Sequence, residues 1–181
     1  MKNKKLLLDE KFLSACKEGN IIKIQKLLKD GADVNAIDKN ECTALMIAVT
    51  KGQMAICELL IENGANVNLN DKFGYTLLMR LALKGQTEIC RFLINHGADV
   101  NAVNENGSTP LMKAASAGKK DTCRLLIDHG ADINVRNNEG KSALDIAEYY
   151  QQKDIITLLI ACGAKPENGE PTDLEDEEPE R

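Results

Sequence analysis

Gly31-Ala32-Asp33-Val34-Asn35 recurs, with small changes, at residues 64–68, 97–101 and 130–134, and a degenerate copy stands at 163–166. Two further series keep the same step of 33 residues without any insertion. The first series consists of hydroxyl residues that open apolar stretches: Thr43, Thr76, Thr109 and Ser142. The second consists of glycines in short turns: Gly19, Gly52, Gly85 and Gly118. A fixed period of this length predicts a solenoid of stacked, similar units.

The third unit shows how each copy is expected to fold. Thr109 supplies a hydroxyl N-cap and Pro110 the first helical position of a short apolar helix. Gly118 ends that helix, a second apolar helix follows, and Gly130 supplies the left-handed conformation that stops it. Residues 134–140 are too polar and too rich in turn formers for a helix, so they must reverse the chain. Because one such pair has an apolar side with nothing to bury it, each pair requires its neighbours.

This unit resembles the ankyrin repeat, whose pattern is a Thr-Pro-Leu-His-x-Ala-Ala helix, a second helix ending in Gly-Ala-Asp-Val-Asn, and a β-hairpin finger. The resemblance covers residues 6–166, as four clear copies after a partial first one, whose helix is expected over residues 6–18. It implies an all-α ankyrin-repeat solenoid of stacked helix-turn-helix pairs with β-hairpin finger loops, with about five helix pairs including the caps. The asparagine that closes each Gly-Ala-Asp-Val-Asn block is expected to hydrogen-bond the finger to the helices. The ankyrin repeat domain is expected at residues 1–166, divided into an N-terminal cap repeat at 1–37, repeats at 38–70, 71–103 and 104–136, and a C-terminal cap repeat at 137–166.

The chain departs from the family pattern at two positions. The histidine of the pattern, which ties its helix to the capping threonine and the neighbouring loop, is replaced by Met46, Met79, Met112 and Asp145. A thioether donates no hydrogen bond, so local packing is expected to replace that interaction in the methionine copies. Glu41 takes the finger position that is glycine in the other copies, and its β-carbon is expected to strain the turn or to change its form.

The cysteines are predicted to be reduced. Cys57, Cys90 and Cys123 fill one position of successive second helices, where the other copies carry isoleucine, so the position is apolar and buried. Equivalent positions of stacked helices stand roughly 8–10 Å apart, which is too far for a disulfide. Only two of the six cysteines are expected to be accessible, Cys42 and Cys162. This usage predicts a reducing compartment, the cytoplasm.

Negative charge is concentrated at the C-terminal end. Residues 165–181 have a net charge of −6, against −5 for the whole chain, which leaves +1 for residues 1–164. The acidic residues and prolines of this C-terminal segment predict a disordered acidic tail at 167–181. Such a tail either keeps the protein soluble or, like the Glu-rich ends of effectors that intracellular bacteria inject into host cells, acts as a translocation signal. At the other end, the apolar run Leu6-Leu7-Leu8 is too short for a signal peptide, and no segment is predicted to enter a membrane.

The sequence predicts no catalytic residue, cofactor or metal site. His96 and His129 are the two histidines, and each precedes a helix-ending glycine, where the helix macrodipole favours them. Cys90 and Cys123 precede these histidines by six residues, which puts each pair on different helix faces and excludes a shared zinc ion. No glycine-rich phosphate loop follows a strand. An enzyme with a small-molecule substrate is therefore not expected.

In the ankyrin family the finger tips and the exposed side of each first helix form a concave face that binds other proteins. By register, this face carries eight basic residues against two acidic ones, and four of the six aromatic residues map to it or to its edge. Aromatic residues and arginine anchor interfaces, whereas lysines steer association. The predicted protein-binding residues are Lys39, Asn40, Lys51, Lys72, Phe73, Tyr75, Arg80, Leu83, Lys84, Glu105, Ser108, Lys113 and Lys141.

The resemblance and this surface together predict a non-catalytic protein–protein interaction module, an adaptor or an inhibitory subunit, that binds an acidic segment of another protein. The protein itself is expected to be a monomer. The alternative is a secreted bacterial effector that binds a host protein through the same face. Nucleic-acid binding is disfavoured, because the net charge of −5 and the acidic tail repel phosphates.

Overall fold

The computed structural model describes residues 2–165, and within this range the chain forms ten helices. The predicted acidic tail at 167–181 lies outside the described residues, as do residues 1 and 166. The helices are α1 (Lys2–Glu18), α2 (Ile21–Lys29), α3 (Ala44–Thr50), α4 (Met54–Glu62), α5 (Leu77–Lys84), α6 (Thr87–Asn95), α7 (Pro110–Ser116), α8 (Lys120–Asp128), α9 (Ala143–Tyr149) and α10 (Lys153–Ala161).

Consecutive helices form five pairs, and the pairs stack on one another. Within the stack α5 packs on α7 and α7 on α9, while α6 packs on α8 and α8 on α10. The backbones of α3 and α5 approach each other less closely than those of α5 and α7. A continuous cluster of buried apolar side chains runs from the first pair to the last. None of these ten helices is both long and apolar enough to cross a bilayer. The stacked arrangement confirms the predicted all-α solenoid.

Hydroxyl N-caps start the first helix of each pair from α3 onward, as predicted. Thr109 Oγ1 accepts the N–H of Met112 at 3.3 Å, and the equivalent hydroxyls of α3, α5 and α9 accept in the same way. The sulfur of Met112 also accepts the N–H of Thr109, at 3.5 Å. Packing alone was expected to replace the histidine hydrogen bond of the family pattern. At Met112 a weak hydrogen bond to sulfur is present in addition to that packing. In the last pair the carboxylate of Asp145 accepts the N–H of Ser142 at 2.7 Å.

The first helix is longer than predicted. It begins at Lys2 rather than at residue 6 and has 17 residues, whereas α3 has 7 and α5 has 8. Glu10 lies one period before the capping residue Thr43, so the part of α1 before residue 11 takes the place of a finger. The first pair is therefore a helical cap without a finger of its own.

An asparagine ladder joins successive units along the loops that follow the second helices. Asn68 Oδ1 accepts the N–H of Asp99 at 2.8 Å, and its Nδ2 donates to the carbonyl of Gly97 at 3.0 Å. Asn101 repeats both bonds one unit later. These asparagines were expected to bind the finger to the helices. That expectation is wrong about the partner, because they bind the equivalent loop of the next unit.

Four fingers connect the pairs, at residues 36–43, 69–76, 102–109 and 135–142 (fingers 1 to 4). Finger 1 closes on a single antiparallel bridge between Ile37 and Thr43, and finger 2 closes in the same way. Glu41 has a φ of 61°, close to the 72° of the equivalent Gly74. The turn therefore keeps its form and Glu41 adopts a left-handed conformation, which costs a residue with a β-carbon about 1 kcal/mol.

The cysteines lie where the sequence predicts. Cys57, Cys90 and Cys123 are fully buried, and Cys42 and Cys162 are half-buried. All six described thiols are free. Burial raises the pKa of the Cys90 and Cys123 thiols to about 12, so both are protonated packing groups rather than nucleophiles.

Candidate functional site

Three neighbouring cavities line the side of the stack formed by the fingers and the first helices. The first, about 580 Å³, lies between α3 and α5 beside fingers 1 and 2. The second, about 480 Å³, lies between fingers 2 and 3. The third, about 740 Å³, lies between α7 and α9 beside fingers 3 and 4. We call the three together the finger groove, and it runs across four of the five units.

The same side-chain turn builds every finger. Asp71 Oδ1 accepts the N–H groups of Phe73 at 2.8 Å and Tyr75 at 3.1 Å, which fixes the backbone of the finger tip. An aspartate or asparagine stands at the equivalent position of each finger and accepts the corresponding two amides: Asp38, Asp71, Asn104 and Asn137. These residues favour such turns because a short side chain can replace a backbone acceptor. The tip side chains are therefore presented from a rigid support.

In the first two fingers the second carboxylate oxygen holds a cation. Lys17 Nζ donates to Asp38 Oδ2 at 2.9 Å, and Arg80 pairs with Asp71. Burial of the Asp38 carboxyl acts to raise its pKa, but hydrogen bonds from Lys17 and from two backbone amides outweigh it, and the pKa lies below its ordinary value. The carboxylate is thus charged at neutral pH and holds its lysine in place.

Tyr75 lies between two cations at the centre of the finger groove. The guanidinium carbon of Arg80 is 5.2 Å from the centre of the Tyr75 ring, and the Nζ of Lys113 is 5.0 Å from it. Both distances suit cation–π attraction. Phe73 is more exposed, at 55%, and the Nζ of Lys72 lies 4.9 Å from its ring centre. Aromatic faces and positive charges therefore alternate across the middle of the finger groove.

The structure brings twelve of the thirteen predicted binding residues to the cavity walls. Lys39 is exposed but lines none of the three cavities. Ser108 lines the third cavity, yet it is only 5% exposed, and its backbone amide donates to Asn104. Tyr75 and Lys113 are half-buried. The other predicted residues on the walls are exposed: Asn40, Lys51, Lys72, Phe73, Arg80, Leu83, Lys84, Glu105 and Lys141.

Positive charge is less widespread than the sequence count suggests. That count omitted the finger aspartates, and Asp71 neutralises Arg80 while Asp145 pairs with Arg136 at 3.0 Å. At the third cavity Glu139 and Glu148 add negative charge next to the lysines of that wall. The excess of positive charge is therefore concentrated at the first cavity, between α3 and α5.

The residues that support the finger tips, and those that form the floor of the first cavity, were not predicted from the sequence. Asp38 and Asp71 were not among the predicted site residues, although an aspartate or asparagine recurs at this position every 33 residues. Met46 and Leu77 lie on the floor of the first cavity. Their apolar character predicted burial, but no sequence feature distinguished a cavity floor from the rest of the core.

The described residues hold no cluster of three or more histidine, cysteine or carboxylate groups that could bind a metal ion. His96 and His129 are the C-cap residues of α6 and α8. Each ring Nδ1 lies within 2.8 Å of the carbonyl oxygen four residues earlier in its helix. Both rings thus act in ending their helices.

A family model described as ankyrin repeats (3 copies) matches the chain over residues 12–104 and again over residues 78–169. These two overlapping matches cover most of the chain. No curated protein is a significant match to it.

Proposed function

Because the chain belongs to the ankyrin repeat family, we propose that it is a non-catalytic adaptor or inhibitory subunit whose finger groove binds an acidic, extended segment of another protein. Ankyrin repeats generally mediate protein–protein interaction. The finer assignment to this surface and to acidic partners is the proposal. It rests on the chemistry of the finger groove in this chain.

The observation that carries the proposal is the set of cations along the finger groove that lack a carboxylate partner. Lys51, Lys72, Lys84 and Lys113 form no ion pair within the range 2–165. Clustered charges of one sign steer a partner of opposite sign and select against partners of the same sign. The neighbouring Tyr75 supplies a rigid aromatic surface of the kind that anchors interfaces.

A charge-reversal experiment tests the proposal. Lys51, Lys84 and Lys113 are replaced together by Glu, and partner capture from native cell extract is compared with that of the wild-type protein. The matched control reverses Lys11, Lys26 and Lys29, which are exposed on α1 and α2 and line none of the three cavities. We expect partners to be lost only from the groove variant, with circular dichroism unchanged.

Partners that the groove variant retains would place binding on another surface. Capture that depends on intact nucleic acid would favour nucleic-acid binding instead. The proposal places the protein in a reducing compartment such as the cytoplasm. This placement is supported by Cys57, Cys90 and Cys123, which are buried and pack as apolar side chains.

A further inference from the structure

The first cavity combines an apolar floor with a charged rim. Met46, Ile47 and Leu77 are each no more than 9% exposed and form the floor between α3 and α5, with Cys42 and Phe73 at the edge. We call this feature the α3–α5 slot. Its floor side chains offer no strong hydrogen-bond donor or acceptor, so a polar group placed there would lose its water without compensation.

The looser packing of α3 on α5 coincides with the presence of Glu41 in finger 1. In the next two fingers the equivalent residue is glycine and lies against the following finger. A β-carbon on Gly74 would come within 3.0 Å of the Glu105 amide, and one on Gly107 within 2.6 Å of Asn138. Glu41 carries such a β-carbon, so finger 2 cannot approach finger 1 as closely as the later fingers approach one another.

Three cations without a carboxylate partner surround the slot. Five basic side chains and the carboxylates of Asp38 and Asp71 line this cavity. Asp38 forms an ion pair with Lys17, and Asp71 forms one with Arg80. The remaining lysines form no ion pair within residues 2–165: Lys51, Lys72 and Lys84. The rim therefore carries three positive charges that no carboxylate within residues 2–165 pairs directly.

We infer that the α3–α5 slot is a specificity subsite for one aliphatic side chain, such as leucine, flanked on both sides by acidic residues of the bound segment. The inference rests on the proposed function and adds a side-chain requirement to it. The aliphatic group covers Met46, Ile47 and Leu77, and the flanking carboxylates meet the lysines of the rim. Neither an acidic segment without an aliphatic residue nor an apolar segment without acids satisfies both parts of the site.

Two synthetic peptides test the inference. Each has about twelve residues, enough in extended form to cross four units spaced about 10 Å apart. Both consist of Glu and Asp with one central residue, which is Leu in one peptide and Ser in the other. Binding is measured by fluorescence anisotropy at low and at physiological salt. We expect the Ser peptide to bind the wild-type protein at least about tenfold more weakly, because it leaves the floor uncovered.

A matched pair of variants locates the effect. Arg80 and Lys113 occupy the same helix position as Ile47, so Ile47→Lys is compatible with the fold and fills the slot with a charged chain. We expect Ile47→Lys to remove the preference for Leu while acidic peptides still bind. Ile146→Lys makes the same change at the equivalent position of α9 and is expected to keep the preference.

Each outcome has a distinct meaning. Equal binding of the two peptides by the wild-type protein would overturn the slot and leave the proposed function standing. Leu preference retained by Ile47→Lys would also overturn it, because the aliphatic group would then bind elsewhere. Failure of both peptides to bind would overturn the proposal of an acidic partner and the slot with it.

Discussion

Lys113 places its ammonium nitrogen 5.0 Å from the centre of the Tyr75 ring, across the boundary between two units. One unit earlier, the same helix position holds Arg80, which pairs with Asp71. Lys113 has Asn104 in place of that aspartate and forms no ion pair within residues 2–165. The Nδ2 of Asn104 is buried and also has no hydrogen-bond partner there. A cation and a buried donor therefore both lack an acceptor at the centre of the finger groove.

Replacing Asn104 by Asp is expected to stabilise the fold by about 1 kcal/mol at pH 7, because the unpaired donor disappears and Lys113 gains a carboxylate. A paired aspartate has a lowered folded-state pKa. The gain should therefore be full above the ordinary aspartate pKa and be lost as the pH falls through the lowered folded-state pKa. Urea unfolding of both proteins at pH 7 and at a series of lower pH values measures it. A variant less stable than the wild type at pH 7 would contradict the argument.

The left-handed conformation of Glu41 predicts that Glu41→Gly stabilises the protein by about 1 kcal/mol, since glycine has no β-carbon to strain. The measurement is the free energy of unfolding in urea. Gly74→Ala is the reciprocal control and should destabilise the fold, because Gly74 has a φ of 72° and its added carbon meets finger 3. Loss of stability in Glu41→Gly would show that the Glu41 side chain makes a compensating contact.

Asp145 predicts a pH-dependent contribution at the last N-cap. Burial acts to raise its pKa, but hydrogen bonds from Ser142 and the charge of Arg136 outweigh it, so the pKa is lowered. A carboxyl group with a lowered pKa stabilises the fold above its unfolded-state pKa, and the effect is lost as the pH falls through the folded value. Asp145→Asn should therefore cost about 1 kcal/mol at pH 7 and progressively less as the pH falls below the ordinary aspartate pKa.

Unfolding experiments across this pH range check the Asp145 prediction. Asp154→Asn is the matched control, because Asp154 is exposed and lies 3.7 Å from Lys120 in a surface pair. Surface pairs and exposed acids in a first helical turn add little to stability, so a change of only a few tenths of a kcal/mol is expected for the control. A cost for Asp145→Asn that is the same at every pH would mean that the group acts without its charge.

Phe73 and Tyr75 are expected to anchor the partner. Replacing both by Ala should weaken binding by roughly 2 kcal/mol or more, about thirtyfold in Kd. Val103→Ala is the control, since Val103 is 53% exposed on finger 3 and lines none of the three cavities. Titration calorimetry with a captured partner provides the comparison. Unchanged affinity with an intact fold would remove these two residues from the interface.

The acidic tail at 167–181 is a candidate competitor for the positive rim of the α3–α5 slot. Deleting it is expected to raise partner affinity severalfold at low salt and little at high salt, because exposed charges are screened within about 8 Å at physiological ionic strength. Affinity is measured for the full chain and the truncated chain over a series of salt concentrations. A difference that does not vary with salt would rule out competition by charge.

The period of 33 residues was sufficient to predict the fold, because each unit repeats the same local signals. Thr109 and its equivalents cap helices, and the glycines end them, through interactions within a few residues along the chain. Such local interactions can be recognised in sequence without knowledge of distant contacts. The residues of the finger groove could be placed on one side of the stack for the same reason, since register alone assigns positions within a repeat.

Register could not predict which charged residues of the finger groove are paired and which are unpaired. Lys17 and Asp38 are 21 residues apart in the chain, and Lys113 meets Tyr75 from the next unit. Register shows that such residues share a side of the stack, but not which charges neutralise each other. The sequence count therefore overestimated the positive charge of the surface.

The amino-acid sequence by itself determined the helical units, their number and their order, because caps, turns and apolar periodicity act over short distances. Only the tertiary structure decided which cations are paired by Asp38, Asp71 and Asp145, and where a slot opens between α3 and α5. The Lys17–Asp38 pair and the slot depend on contacts between units, and the other two pairs join a finger to the helix that follows it, so all of them require the folded positions of the side chains.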